Sequence, residues 1–205
     1  MQTNRGDMGL SKFLPYAAAA LLGVQAVSYA VQPTGSLIRP PGARDEKDFA
    51  SKCVKCGRCI QACPYVALVP AGMQTGSAVG SPMLDVRNQA CRLCSDFPCI
   101  EACPTDALHD IESVDDVDMG FAVIDEDLCI ALQGMRCEVC YRACPLIDRA
   151  ITIDYRLREG DSIHSIFAPI IDEDVCVGCG LCVERCVVSE PDVAIKIVRS
   201  DSERT

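Results

Sequence analysis

Residues 53–64 read CVKCGRCIQACP, and the spacing C-x2-C-x2-C-x3-C-P decides how the chain folds. Such a run is an iron–sulfur ligand set: its first three thiolates hold three corners of one cube, and the fourth reaches a neighbouring cube. Cys59 and Cys63 are then separated by one helical turn, roughly 6 Å of axial rise. Two cofactors joined by so short a piece of backbone can pass electrons between them.

Three related runs follow. Residues 91–104 read CRLCSDFPCIEACP, with two residues inserted between the second and third cysteines. Residues 129–145 read CIALQGMRCEVCYRACP, with the first gap stretched to seven residues. Residues 176–186 read CVGCGLCVERC, regular in spacing but followed by Val187 where the others have proline. All sixteen cysteines of the 205-residue chain fall in these four groups. C-x2-C pairs close loops too short for a disulfide to stabilise much. A structural zinc site needs two such pairs, not three cysteines at short gaps with a fourth and a proline. Four [4Fe–4S] clusters are therefore the expected cofactors, about sixteen irons in all.

Composition points the same way. Aromatic residues make up only 5% of the chain and tryptophan is absent. Such a chain lacks the large side chains of an ordinary core and must be held by metals or disulfides. The formal charge is −10; each cube with its four thiolates adds about −2, which brings the loaded protein to roughly −18. That balance excludes nucleic acid as a partner and is compatible with docking a basic redox protein.

The chain begins with a polar stretch, and residues 13–31 (FLPYAAAALLGVQAVSYAV) carry no charge. This is long enough for a membrane helix. Ser28-Tyr29-Ala30 also fits a signal-peptide cleavage site. Residues 1–31 are thus expected to be an apolar helix serving as export signal or membrane anchor, with a buried helix as the remaining alternative. Cubes are inserted into folded protein before export, a route that uses a twin-arginine signal, and no Arg-Arg pair precedes the apolar run. The periplasmic side and the cytoplasmic face of an inner membrane therefore both stay open. Residues 32–48 read as an extended, exposed Pro/Gly/Arg linker, and residues 70–82 (PAGMQTGSAVGSP) as a crossing loop.

Two internal repeats organise the remainder. Gln61-Ala62-Cys63-Pro64, Glu101-Ala102-Cys103-Pro104 and Arg142-Ala143-Cys144-Pro145 share x-A-C-P, where proline ends a turn without leaving an unpaired N–H. Ile124-Asp125-Glu126-Asp127-Leu128-Cys129 repeats as Ile171-Asp172-Glu173-Asp174-Val175-Cys176. Strands are predicted before these motifs, over 121–125 and 167–172, and after them, over 150–154 and 194–198, with a hairpin over 155–166. The strand-led repeat precedes only motifs three and four, so each reads as the second half of a unit.

The fold class that follows is α+β: two dicluster units nested in one chain, short strands and helices around four clusters. The outer unit comprises 49–69 plus 167–199, the inner unit 83–154, and residues 155–166 connect them. The expected clusters are Cys53, Cys56, Cys59 with Cys186, and Cys176, Cys179, Cys182 with Cys63, in the outer unit. In the inner unit they are Cys91, Cys94, Cys99 with Cys144, and Cys129, Cys137, Cys140 with Cys103. Sequential pairing, motif one with two and three with four, is the alternative.

Several chemistries are missing. No C-x-x-C-H occurs for covalent haem, and no glycine-rich phosphate loop for flavin or nicotinamide. The histidines, His109 and His164, read as ordinary surface residues, with ligation or proton acceptance as the sharper role. Lys55 and Arg58 sit inside motif one, either raising a cluster potential or as plain surface charge. The acidic run over 110–118 (DIESVDDVD) reads as a solvated loop.

The run Arg39-Pro40-Pro41-Gly42-Ala43, then CVKCGRCIQACPY over 53–65, then CEVCYRACP over 137–145, resembles the NapG/MauM ferredoxin-type family. The resemblance covers most of the chain after residue 35, irregular spacings included. It implies an electron-transfer subunit of a quinol dehydrogenase rather than a catalyst by itself, on the periplasmic side of an inner membrane. It further implies a polytopic ferredoxin-type quinol-oxidising membrane partner, and a c-type cytochrome or periplasmic reductase as acceptor. The alternative from this reading is the electron-wiring four-cluster subunit of a molybdopterin oxidoreductase.

Overall fold

The computed structural model describes residues 37–199, apart from positions 159, 161, 162 and 164. The apolar stretch over 13–31 and His164 lie outside the described residues. Among the described residues no helix is long and apolar enough to cross a membrane.

The first half of the chain builds helix α1 (Glu46–Lys52), helix α2 (Arg58–Ala62), strand β1 (Leu68–Pro70), strand β2 (Pro82–Leu84) and helix α3 (Pro98–Glu101). The second half builds β3 (Phe121–Ile124), α4 (Val139–Ala143), β4 (Ile151–Leu157), β5 (Ser165–Ile171), α5 (Leu181–Arg185) and β6 (Ile195–Val198). The strands form three two-stranded sheets, β1–β2, β3–β6 and β4–β5, all antiparallel. Phe121 pairs with Val198 and Ile124 with Ile195, while Ile151 pairs with Ile171 and Leu157 with Ser165. The β-branched content of FAVI, ITI and IKIV suits a half-buried pleated surface. On β4–β5 the directly opposed Tyr155 and Phe167 meet edge to face, with ring centroids 5.2 Å apart.

Helices α2 to α5 are each about one turn long because a ligand loop must curl and then leave. Gly57 (φ 75°), Phe97 (φ 39°) and Gly180 (φ 83°) launch α2, α3 and α5 from the left-handed region. Cys63 and Cys144 end α2 and α4 in extended conformation, because a following proline disfavours helical backbone in the residue before it. At Gly180 a Cβ would stand 2.4 Å from Val86 Cγ1, so only glycine permits this approach of the two halves.

The core is small and built around sulfur. Phe49, Leu68, Leu84, Phe97, Ile100, Leu108, Met119 and Val177 are buried together with Cys59, Cys91, Cys99 and Cys179. A second cluster of Ala122, Val183 and Ile195 packs against Cys140, Cys176, Cys182 and Cys186.

Four expectations are corrected. The 32–48 segment is not an exposed linker in its described part: Arg39 to Ala43 are buried, and α1 begins at Glu46 under an Asp45 cap. Arg39 is 1% exposed; its Nε donates to Glu46 Oε2 at 2.8 Å and its Nη2 pairs with Glu46 Oε1. Its Nη1 donates to Ser81 Oγ at 2.8 Å and to the Pro82 carbonyl at 2.9 Å, and its guanidinium lies 4.7 Å from the Phe49 ring centroid. An extended Pro/Arg stretch is thus pinned by long-range bonds that composition does not reveal.

The 70–82 loop does not cross between units. It closes the β1–β2 hairpin, with Ala71 N–H donating to Ser81 O at 2.8 Å. The 155–166 stretch does not join two units either: its described ends belong to β4 and β5, which pair with each other within a single unit. Lastly, the units are not nested. Strands β3 and β6 enclose motifs three and four in one body, and the first body holds motifs one and two.

Replacing Arg39 by alanine strands the Ser81 and Pro82 partners and opens a hole over Phe49. The expected loss is about 2–4 kcal/mol of stability, read from denaturant unfolding of the loaded protein; a loss within experimental error would show that the buried guanidinium is incidental.

Candidate metal centres

Each helix from α2 to α5 carries or adjoins two cysteines of its own motif that face different neighbours, and the packing of helices in pairs decides which sulfurs meet. Helix α2 packs on α3, and α4 on α5. Cys53, Cys56 and Cys59 share a cavity with Cys103, lined also by Phe49, Val54 and Leu108. Cys91, Cys94 and Cys99 share another with Cys63, lined by Pro41, Leu68 and Phe97. Cys129, Cys137 and Cys140 share a third with Cys186, lined by Ile124, Ile130, Val139 and Ile195. The fourth group is Cys176, Cys179 and Cys182, whose thiolates interact electrostatically with Cys144. We label these quartets A, B, D and C respectively.

This corrects the nested grouping. Cys63 lies with Cys99, not with Cys176, and Cys186 lies with Cys140, not with Cys53. The Ile-Asp-Glu-Asp repeat marks the two halves of one unit rather than the second halves of two, because the strand ending each copy belongs to the same body: β3 pairs with β6 and β5 with β4.

All sixteen cysteines are free thiols rather than disulfides. Among the described residues no three His, Cys, Asp or Glu side chains converge closely enough for a single metal ion. A four-iron cube spreads its four sulfurs over four irons, so it requires no such convergence. Soft sulfur donors in apolar walls are the ligand chemistry of iron–sulfur clusters, and the quartets fit that group.

Burial pushes the Cys59 and Cys91 thiols up to about 11. It pushes Cys99, Cys140 and Cys179 to about 12, with neighbouring thiolates adding to the effect, and Cys182 is raised as well. These sulfurs keep their protons at neutral pH until iron displaces them. Cys103 behaves differently. Burial raises it, but the N–H groups of Thr105, Leu108 and Ala107 and the Thr105 hydroxyl outweigh burial and hold it below the usual thiol range. Backbone N–H groups also donate from Ala67 to Cys63 Sγ and from Ala122 to Cys176 Sγ, each at 3.4 Å; bonds of this kind stabilise negative charge on sulfur and so favour the more reduced cluster.

The quartets adjoin one another in a fixed order. Helices α2 and α3 connect A to B, and α4 and α5 connect C to D. Between B and C, Cys91 N–H donates to Cys179 O at 3.0 Å. The order is A–B–C–D, with the exposed Cys56 at the A end.

Of the other candidates, His109 is not among the residues lining the cavities of A, B or D. Its Nε2 lies 2.8 Å from Asp48 Oδ2 and 3.3 Å from Lys52 Nζ, a structural tie between α1 and the segment after α3. Lys55 reaches across the mouth of A to the Ser77 carbonyl at 2.8 Å, while Arg58 is exposed at the start of α2. The acidic run is partly ordered: Ser113 and Asp116 form a capping box, and Val117 is buried. Sequence reasoning missed Arg87 and Glu184. Arg87 Nη1 donates to the carbonyls of Val183 at 2.7 Å and Cys186 at 3.1 Å. Burial alone would raise the Glu184 carboxyl, but the Ala90 N–H and Arg92 hold it below the usual carboxylate range. No local spacing marks either residue, since their partners lie in the other half of the chain.

Two stretches, 52–107 and 134–189, match the family described as 4Fe-4S dicluster domain. The first stretch holds motifs one and two and the second motifs three and four, the same division that the packing makes. The chain is 44% identical over 184 residues to the ferredoxin-type protein NapG of Escherichia coli (strain K12), covering 89% of this chain and 78% of that protein. It is 38% identical over 165 residues to the methylamine utilization ferredoxin-type protein MauM of Methylobacillus flagellatus, covering 80% and 69%. It is 31% identical over 152 residues to the ferredoxin-type protein NapF of Escherichia coli (strain K12), covering 74% and 81%. No solved structure matches.

Proposed function

Because this chain belongs to the NapG/MauM ferredoxin-type family of 4Fe-4S electron-transfer proteins, we propose that its four quartets act as one wire between a membrane quinol-oxidising partner and a c-type cytochrome or periplasmic reductase. The cubes are held by Cys53, Cys56, Cys59 and Cys103 at A, and by Cys63, Cys91, Cys94 and Cys99 at B. Cys144, Cys176, Cys179 and Cys182 hold the cube at C, and Cys129, Cys137, Cys140 and Cys186 the cube at D. Each cube supplies a one-electron couple. The protein's own residues place the four couples in sequence, wall them with apolar side chains and set their potentials through backbone N–H groups and nearby charge.

The observation that carries this reading is the unbroken order A–B–C–D, in which each neighbouring pair is joined by a short helix or a backbone hydrogen bond. The described chain enters the fold beside both A and B: the Ile38 carbonyl accepts from Leu84 N–H, a wall residue of B, and Arg39 bonds Pro82, a wall residue of A.

The test is anaerobic mixing of the loaded protein with membranes that contain the quinol-oxidising partner and a reduced quinol pool. The expected result is reduction of the cubes, followed by by their reoxidation when a c-type cytochrome is added. Cubes that stay oxidised in the presence of partner and quinol would overturn the proposal. A molybdopterin-binding chain purifying with this one in equal amounts would replace it with the wiring-subunit reading.

A further inference from the structure

At quartets B and C the two dicluster units meet along a strip of backbone. Cys91, a sulfur of B, donates its N–H to the carbonyl of Cys179, a sulfur of C, at 3.0 Å; both residues are buried. The residues on either side of Cys91 are tied to helix α5 through a single carboxylate. Ala90 N–H donates to Glu184 Oε2 at 2.7 Å, and Arg92 Nη2 donates to Glu184 Oε1 at 2.9 Å. Glu184 is largely shielded, with its side chain 13% exposed. Just ahead of this strip Val86 lies against Gly180, and Arg87 binds the carbonyls at the end of α5.

We propose that the Cys91–Cys179 hydrogen bond is the electron bridge between the two units, and that Glu184 is the positioning residue that keeps it closed. The inference rests on the wire reading above. With cubes bound, the Cys91 side chain and N–H and the Cys179 carbonyl and side chain would offer the bonded path between B and C; one electron would be lost at B and one gained at C, with no bond broken and no proton moved. Electronic coupling decays steeply with separation and is stronger through bonds than through gaps. A hydrogen bond held from both sides is therefore the narrowest point of the route, and a carboxylate that binds residues 90 and 92 together fixes the N–H between them.

Other ties hold the units together without Glu184: Met119 N–H donates to Val177 O at 3.2 Å, and Arg199 Nη2 donates to Arg44 O at 2.7 Å. Loosening the bridge is therefore separable from unfolding the protein. The experiment compares the parent with Glu184→Gln, which keeps the volume and one acceptor, and Glu184→Ala, which loses both. Iron content, the potential of each cube, and spin coupling between reduced cubes are measured, together with the rate at which an electron delivered by pulse radiolysis redistributes between units.

The expected result is that both variants retain about sixteen irons and coupling within each unit. Redistribution between units slows by about tenfold in Glu184→Ala, less in Glu184→Gln, and coupling between B and C weakens. Potentials unchanged alongside the slower rate assign the effect to the path rather than the driving force. Unchanged redistribution in both variants overturns the bridge while leaving the wire intact. A parent protein that shows no redistribution between units overturns the wire reading itself, and the bridge with it.

Discussion

Replacing Cys186 by alanine removes the cube at D and frees Cys129, Cys137 and Cys140 for alkylation. The sulfurs of Cys53, Cys56 and Cys59 stay protected. This is the outcome expected from packing α4 on α5, since Cys186 shares its cavity with Cys129, Cys137 and Cys140. A nested chain would do the reverse and expose motif one. The companion variant, Cys63→Ala, frees Cys91, Cys94 and Cys99 and interrupts the line between A and C. Iron should fall from about sixteen toward about twelve in either variant. Conduction between A and the second unit should slow by about a hundredfold or more in Cys63→Ala, because the electron must cross the place where a cube stood. Iodoacetamide labelling under anaerobic conditions, read by peptide mass spectrometry, decides the matter. Protection of Cys129, Cys137 and Cys140 in the Cys186→Ala protein would refute the grouping.

Stripping the iron should unfold most of the chain. The first buried cluster counts Cys59, Cys91, Cys99 and Cys179 among its members. The second has only Ala122, Val183 and Ile195 as fully buried residues, with four cysteines packed around them. The sheets are all two-stranded, and a lone hairpin is marginal in water. Helices of about one turn have no stability of their own. Metal binding is therefore folding free energy here, and its removal should cost most of a small domain's stability, about 5–15 kcal/mol. The measurement is circular dichroism and limited proteolysis of protein treated with an iron chelator and ferricyanide, against untreated protein. Iron-free chain that retains native circular dichroism and a cooperative transition within about 1 kcal/mol of the loaded form would contradict it.

Much of this molecule is legible from local sequence. The three-sulfur side of every quartet follows from spacing, because a C-x2-C turn has little freedom in where it places its sulfurs. The strands at 121–124, 151–157, 165–171 and 195–198 follow from β-branched runs bounded by turns. The x-A-C-P endings of α2 and α4 follow from proline's effect on the preceding residue. Cofactor type and electron-transfer chemistry follow from the same residues.

The fourth sulfur of each quartet is another matter. Cys63, Cys103, Cys144 and Cys186 each stand at the far side of a short helix from their own motif, so their partners depend on which helices pack together. Two copies of Ile-Asp-Glu-Asp look alike whether they open two units or the two halves of one. Only the pairing of β3 with β6 and of α4 with α5 settles that. Arg39 likewise reads as part of a loop, and Glu184 as one charge on a helix, until Ser81, Pro82, Ala90 and Arg92 are brought to them from elsewhere in the chain. Local spacing dictates where neighbouring atoms can go, and for that reason the sequence by itself determined the chemistry of this protein. The connection of its four sites depends on contacts between distant segments, whose free energy no short run of residues carries, and so the tertiary structure alone decided it.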